Sequence, residues 1–106
     1  MSVTLEDFEI RYKNLRREHP DIPICSVEWC ENPADITEMG LDSSCAYHRL
    51  LFDSWMYSLS TREIMGLMGD TVERRKLFKQ YMNRLGKEKC DKIVLEMAQE
   101  AINWAC

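Results

Sequence analysis

Cys25-Ser26-Val27-Glu28-Trp29-Cys30 and, further along, Cys45-Ala46-Tyr47-His48 decide how this chain is read. Together they space four metal-binding side chains as Cys-x4-Cys-x14-Cys-x2-His. Zinc favours four soft or borderline donors in a tetrahedron, and three thiolates with one imidazole form a standard structural set. A four-residue gap lets a tight turn aim two sulfurs at one centre. Residues three apart at the start of a helix lie on one face, so Cys45 and His48 can meet the same ion. Iron–sulfur ligation usually asks for four cysteines, and a catalytic zinc keeps one position open. The expectation is one closed, structural zinc site at Cys25, Cys30, Cys45 and His48, with Arg49 placed to offset its negative charge. The competing reading is three small buried residues and a satisfied histidine. It suits a stretch otherwise poor in core residues less well.

On either side of this stretch the pattern is helical. Leu5, Phe8, Tyr12 and Leu15 recur at spacings that stack them on one face, predicting a helix over 4–19. Thr4 and Asp7 stand as a capping pair at its start, and Pro20 and Pro23 stop it. Ala34 to Met39 reads as a short strand turned by Gly40. From Cys45 onward the chain reads as helix to its end. Tyr47, Leu51 and Trp55 share a stripe, with Leu50 beside them. Ser60 or Thr61 can cap a short helix ending at Met68, and Gly69-Asp70 breaks it. Thr71 is the expected cap of the next helix, which runs to Leu85 with Leu77, Phe78, Tyr81, Met82 and Leu85 as its apolar face. Gly86 suits the left-handed position that ends a helix. Cys90, Val94, Met97, Ala101 and Trp104 form the stripe of a last helix over 87–105. The expected fold is therefore mainly α. It is a small helical domain with an embedded zinc knuckle or short β-hairpin. One domain is expected over 1–106, with an N-terminal helix in 1–20, a zinc module in 24–50 and a helical bundle in 46–105.

The chain has 106 residues, and 45% are hydrophobic and 30% charged, an ordinary globular balance. No run of apolar residues is long enough for a transmembrane helix. The N-terminus lacks the basic and apolar regions of a secretory signal. Five cysteines without an export signal read as metal ligands or free thiols before disulfides, which suits the cytoplasm. The net charge of −4 hides an asymmetry. Residues 1–59 carry 5 basic and 11 acidic side chains, whereas residues 60–92 carry 9 basic and 5 acidic. A negative far field disfavours general attraction to a polyanion. The basic face of 71–85 can still meet phosphate, or an acidic patch on a partner, if it is more than a solvated helix face.

The segment Cys25-Ser-Val-Glu-Trp-Cys30-Glu-Asn-Pro-Ala34, followed by Cys45-Ala-Tyr-His48-Arg49, resembles the treble-clef-like zinc modules of small phage proteins, which also accompany some phage HNH endonucleases. The resemblance covers about residues 24–50 and implies zinc at the same four side chains. Trp29 stands where that pattern has glycine, and Asp42-Ser43-Ser44 intervene before Cys45.

Catalysis is not expected. An HNH nuclease needs a histidine base and a second metal-binding residue beyond the structural zinc. Of the two histidines, His48 belongs to the zinc site and His19 sits at a helix end. Cys90 lies on an apolar stripe as an inert thiol, Cys106 is a bystander, no glycine-rich phosphate loop occurs, and no small-molecule substrate is expected. A binding protein is expected instead, docking on and modulating a larger host protein or nucleoprotein machine such as a polymerase, nuclease or defence complex. Trp29, Trp55 and Trp104 are candidate anchors, since tryptophan is enriched at interface hot spots. Trp55 and Trp104 also fit core packing, whereas Trp29 at a knuckle tip does not. Trp29 with Arg75, Lys76 and Lys79 is the candidate partner-binding set. The alternative is a nucleic-acid-binding regulator contacting its target through residues 71–92. In it, residues 61–69 resemble the first helix and turn of a helix-turn-helix, and 71–85 is the reader carrying Arg74, Arg75, Lys76 and Lys79.

Overall fold

Helix α1 runs Leu5–Glu18 and buries Phe8 and Tyr12 from the expected stripe. The Thr4 backbone N–H donates to the Asp7 carboxylate at 2.9 Å, tying down the first turn. The His19 N–H closes the helix on the Leu15 carbonyl at 2.8 Å, just before Pro20. A computed structural model describes residues 2–27, 29–34 and 43–105. The expected strand from Ala34 to Met39 falls, apart from Ala34 itself, outside the described residues, as does Cys106.

Helix α2 spans Ala46–Tyr57, with Cys45 as its N-cap. Helix α3 spans Thr61–Met68. Its cap is Ser60, whose hydroxyl accepts the Glu63 N–H, while the Glu63 carboxylate accepts the Ser60 N–H. Helix α4 covers Thr71–Ala105 but is interrupted at Gly86, where φ is 80° and ψ 163°. It is thus two segments, 71–85 and 87–105, as the periodicity predicts. Gly86 combines positive φ with an extended ψ, so the chain bends there without the compact left-handed turn expected from sequence. The cap of α4 also differs from expectation. Asp70, not Thr71, accepts the Glu73 N–H at 3.0 Å, because the helix begins one residue earlier than the threonine cap requires.

Between α1 and α2 the chain forms a knuckle. Ile24 and Pro33 make an isolated antiparallel bridge, with the Cys25 N–H on the Asn32 carbonyl and the Ala34 N–H on the Pro23 carbonyl, both at 2.8 Å. The Cys30 N–H closes a turn on the Val27 carbonyl at 2.9 Å. This is a hairpin reduced to its minimum. Positive φ at the glycine-replacing Trp29 is not needed, since Gly86 alone has it among the described residues.

The core joins α2 to α4. Trp55 stacks on Phe78 at 5.6 Å between ring centroids, and Phe52 meets the same ring edge-on at 5.5 Å. Leu51 and Val94 are fully buried, and Cys90 is buried beside them as the stripe predicts. That stripe does not hold to its end, because Ala101 is exposed and Trp104 is 84% exposed. Nothing among the described residues packs over the last turn of α4. Trp104 is therefore a surface residue, contrary to the core reading. Helix α1 joins through Phe8, which meets Tyr47 edge-on, and through Val3, whose N–H donates to Gln99 at 2.9 Å.

Arg74 departs most from expectation. It is 3% exposed, so it is no part of a basic surface. Its guanidinium donates to the Leu67 and Met68 carbonyls and to the Thr71 hydroxyl, and so caps the end of α3. The Leu67 carbonyl also accepts the Asp70 N–H at 3.2 Å, and the fixed fork of guanidinium donors suits such chain-end carbonyls.

Gly86→Ala is expected to cost about 1–3 kcal/mol, since this backbone region is almost closed to side chains. Gly66→Ala, inside α3 with open space around it, is expected to gain about 0.5–1 kcal/mol. Urea unfolding of the two variants checks the opposite signs.

Candidate metal centre

The knuckle supplies Cys25 and Cys30, and the start of α2 supplies Cys45 and His48. Their ligand atoms all lie within 4.8 Å of one another. His48 Nδ1 is 3.3 Å from Cys45 Sγ and 3.6 Å from Cys25 Sγ, and the Cys30 and Cys45 sulfurs are 3.9 Å apart. A tetrahedral ion with metal–sulfur bonds of about 2.3 Å and a metal–nitrogen bond of about 2.0 Å requires S···N edges of about 3.6 Å and S···S edges of about 3.8 Å. These three separations lie close to those edges, and the set as a whole is looser, within 4.8 Å. They do not fit a disulfide, whose sulfurs are about 2.05 Å apart, and all four described cysteines are free.

The electrostatics are compatible with a cation at the cluster. Cys45 is pulled down to about 3 by the hydrogen bond from Cys25 and then by His48, against the opposing effect of burial. Cys25 is pushed up by that same bond and by burial, and Cys30 is pushed up chiefly by burial. One sulfur ionises at the expense of its neighbours, because thiolates this close repel each other in a poorly solvated site. A divalent ion between them removes that conflict and lets all three act as ligands.

A shell of donors already faces the sulfurs. The His48 N–H lies 3.5 Å from Cys45 Sγ. Backbone N–H groups of Val27 and Asn32 bond to Cys25 and Cys30. The Tyr12 hydroxyl, a neighbour of Cys45, accepts the Tyr47 N–H at 3.0 Å. Burial, then the neighbouring Cys45, keeps that hydroxyl protonated. The Tyr47 hydroxyl in turn donates to Asp91, which also pairs with Lys87 at 2.9 Å. Burial opposes the ionised form of Asp91, but these two partners outweigh it and lower its pKa. Such outer contacts fix ligand orientation and hold the site ready.

Next to His48 a groove of about 570 Å³ opens between the knuckle and α4. It brings together all four members of the candidate partner-binding set, Trp29, Arg75, Lys76 and Lys79. Trp29 is 52% exposed, and the Lys79 ammonium lies over its ring at 5.4 Å. Trp55 is instead buried in the aromatic stack, as its stripe allows. Arg49 and Phe52 of α2 also line the groove, unforeseen from sequence. The available signal was helical spacing, since 45, 48 or 49, and 52 share one face. Arg49 also pairs with Asp53 at 3.2 Å. His19 is exposed at the end of α1, and the Cys90 thiol is buried against the Met82 carbonyl. Among the described residues no helix is long and apolar enough to cross a membrane.

Removal of metal by a chelator, or Cys45→Ser, is expected to loosen the knuckle and lower the melting temperature while leaving part of the helical signal. Structural zinc contributes about 10–16 kcal/mol of apparent free energy in small zinc peptides. Circular dichroism during chelation checks this. Tyr12→Phe keeps all four ligands and is expected to weaken metal retention about 10–100-fold, read by competition with a chromogenic chelator.

No protein-family model, curated protein or solved structure matches the chain.

Proposed function

We propose that the chain is a non-catalytic, zinc-stabilised binding protein that docks on a larger protein machine of the cell in which it works. The observation that carries this reading is the groove, in which a half-exposed tryptophan and exposed basic side chains lie beside a closed four-ligand site. Three thiolates and an imidazole favour zinc over the hard, oxygen-loving ions magnesium and calcium. Four protein donors fill the tetrahedron and leave no position for a substrate, which supports a structural role. Reduced thiols suit the cytoplasm. The likeness of residues 24–50 to zinc modules of small phage proteins supports a phage or mobile-element origin and a target such as a polymerase, nuclease or defence complex of the host.

Nucleic-acid binding through 71–92 is the weaker reading. Arg74 is withdrawn from the surface and Asp70 is committed to capping α4. A tagged chain expressed at its native level is expected to retain a stoichiometric protein partner after nuclease treatment, and Trp29→Ala with Lys79→Ala to lose it. Absence of any such partner, or a complex that nuclease dissolves, would contradict the docking role.

A further inference from the structure

Helix α3 has two unlike faces. Leu67 is buried and Ile64 half-buried on the inner one. Arg62, Met65, Gly66 and Gly69 recur three and four residues apart, so they share the outer face, and all four are exposed. Met65 is 72% exposed, and Val72, one turn beyond at the start of α4, is 78% exposed. Gly66 sits inside the helix, where glycine costs stability against alanine, and Gly69 has an ordinary φ of −90°. Open space surrounds both, so nothing within one chain calls for a missing side chain there. The two ends of this face carry opposite charge. Arg62 stands in the first turn, where the helix dipole disfavours a cation, and among the described residues it has no ion-pair partner. Asp70 follows α3 and gives one oxygen, Oδ1, to the Glu73 N–H, which leaves its second oxygen to offer. Gly66 lies midway between Arg62 and Asp70.

We propose that the outer face of α3 joins two copies of this chain, the helices crossing antiparallel at Gly66. A two-fold axis at the crossing makes the contact isologous, each copy offering the same patch. It sets each Arg62 level with the partner's Asp70 and brings the two Met65 side chains together beside the axis. Val72 lengthens the apolar strip at both ends. Gly66 and Gly69 let the two backbones approach closely, which is the use of glycine that a single chain leaves unfilled. A second copy is the occupant because this face carries its own complement. Its basic end meets its acidic end only when two such helices run in opposite directions, whereas a parallel pair would set Arg62 against Arg62. Helix α3 has only eight residues, so the contact falls below the standard interface of about 1,600 Å² and the dimer is weak. None of Arg62, Met65, Gly66 and Gly69 lines the groove beside His48, so the dimer does not depend on the docking role above.

Sedimentation equilibrium of the metal-loaded chain, from about 5 µM to about 1 mM, tests this. Monomer passing to dimer is expected, with no larger species, because a two-fold contact closes on itself. Gly66→Leu should weaken the dimer at least about tenfold by holding the helices apart. Its open surroundings leave the monomer intact, which circular dichroism and melting of a dilute sample check. Met65→Glu, at an exposed position, should weaken the dimer by a similar factor of about ten by setting like charges together at the axis. Arg62→Ala and Asp70→Asn form a double-mutant cycle in which asparagine keeps the cap of α4. Each alone should weaken the dimer about threefold or more, and both together no more than either alone. Added salt should weaken it too. A chain that stays monomeric over the whole range, a dimer indifferent to Gly66→Leu and Met65→Glu, or additive losses in the cycle would each overturn the proposal.

Discussion

The convergence of four ligand atoms within 4.8 Å is the constraint on which the rest of the structure depends. Among the described residues the knuckle pairs Ile24 with Pro33 in a β-bridge, and its buried side chains include the ligands Cys25 and Cys30. The sulfurs also reach beyond the knuckle. Burial and the neighbouring Cys45 keep the Tyr12 hydroxyl of α1 protonated, and its oxygen accepts the Tyr47 N–H of α2. Tyr47 in turn reaches Asp91 of α4. A line of polar contacts thus runs from the cluster into three helices. An unmet thiolate in that position would be costly, and a bound cation makes the arrangement consistent.

The second organising contact is aromatic. Trp55, Phe52, Phe78 and Tyr81 clasp α2 to the first segment of α4. This clasp sets where the basic face of 71–85 lies relative to the knuckle. The groove exists because the ligand-bearing end of α2 and the Phe78 side of α4 meet there. The metal cluster and the proposed docking surface are therefore joined through the same helix, and a disturbed knuckle would carry Trp29 away from Lys79. Arg74 adds to this rigidity by spanning from α4 to the end of α3.

Most of the helical frame was legible in the sequence because each helix has a stripe, a cap or a breaker that acts locally. Leu51 with Trp55, the cap at Ser60, and Gly86 show this. The four ligands were legible for a similar reason, since metal chemistry admits few side chains and few spacings. What escaped depends on distant partners. Arg74 looked like surface charge because nothing in periodicity shows that its guanidinium reaches back seven residues to Leu67. A cation near a helix N-terminus is disfavoured by the helix dipole, and that was the available hint. Trp104 looked like core because the stripe continues to it, but no described element covers that end of the helix. Asp70 was taken for a breaker, although its carboxylate satisfies the first amides of α4.

X-ray absorption at the zinc edge of the purified chain tests the proposed centre most directly. The expected spectrum has one zinc per chain with three sulfurs at about 2.3 Å and one nitrogen at about 2.0–2.1 Å. A metal-free chain with the same melting temperature, or zinc ringed by oxygen, would contradict it.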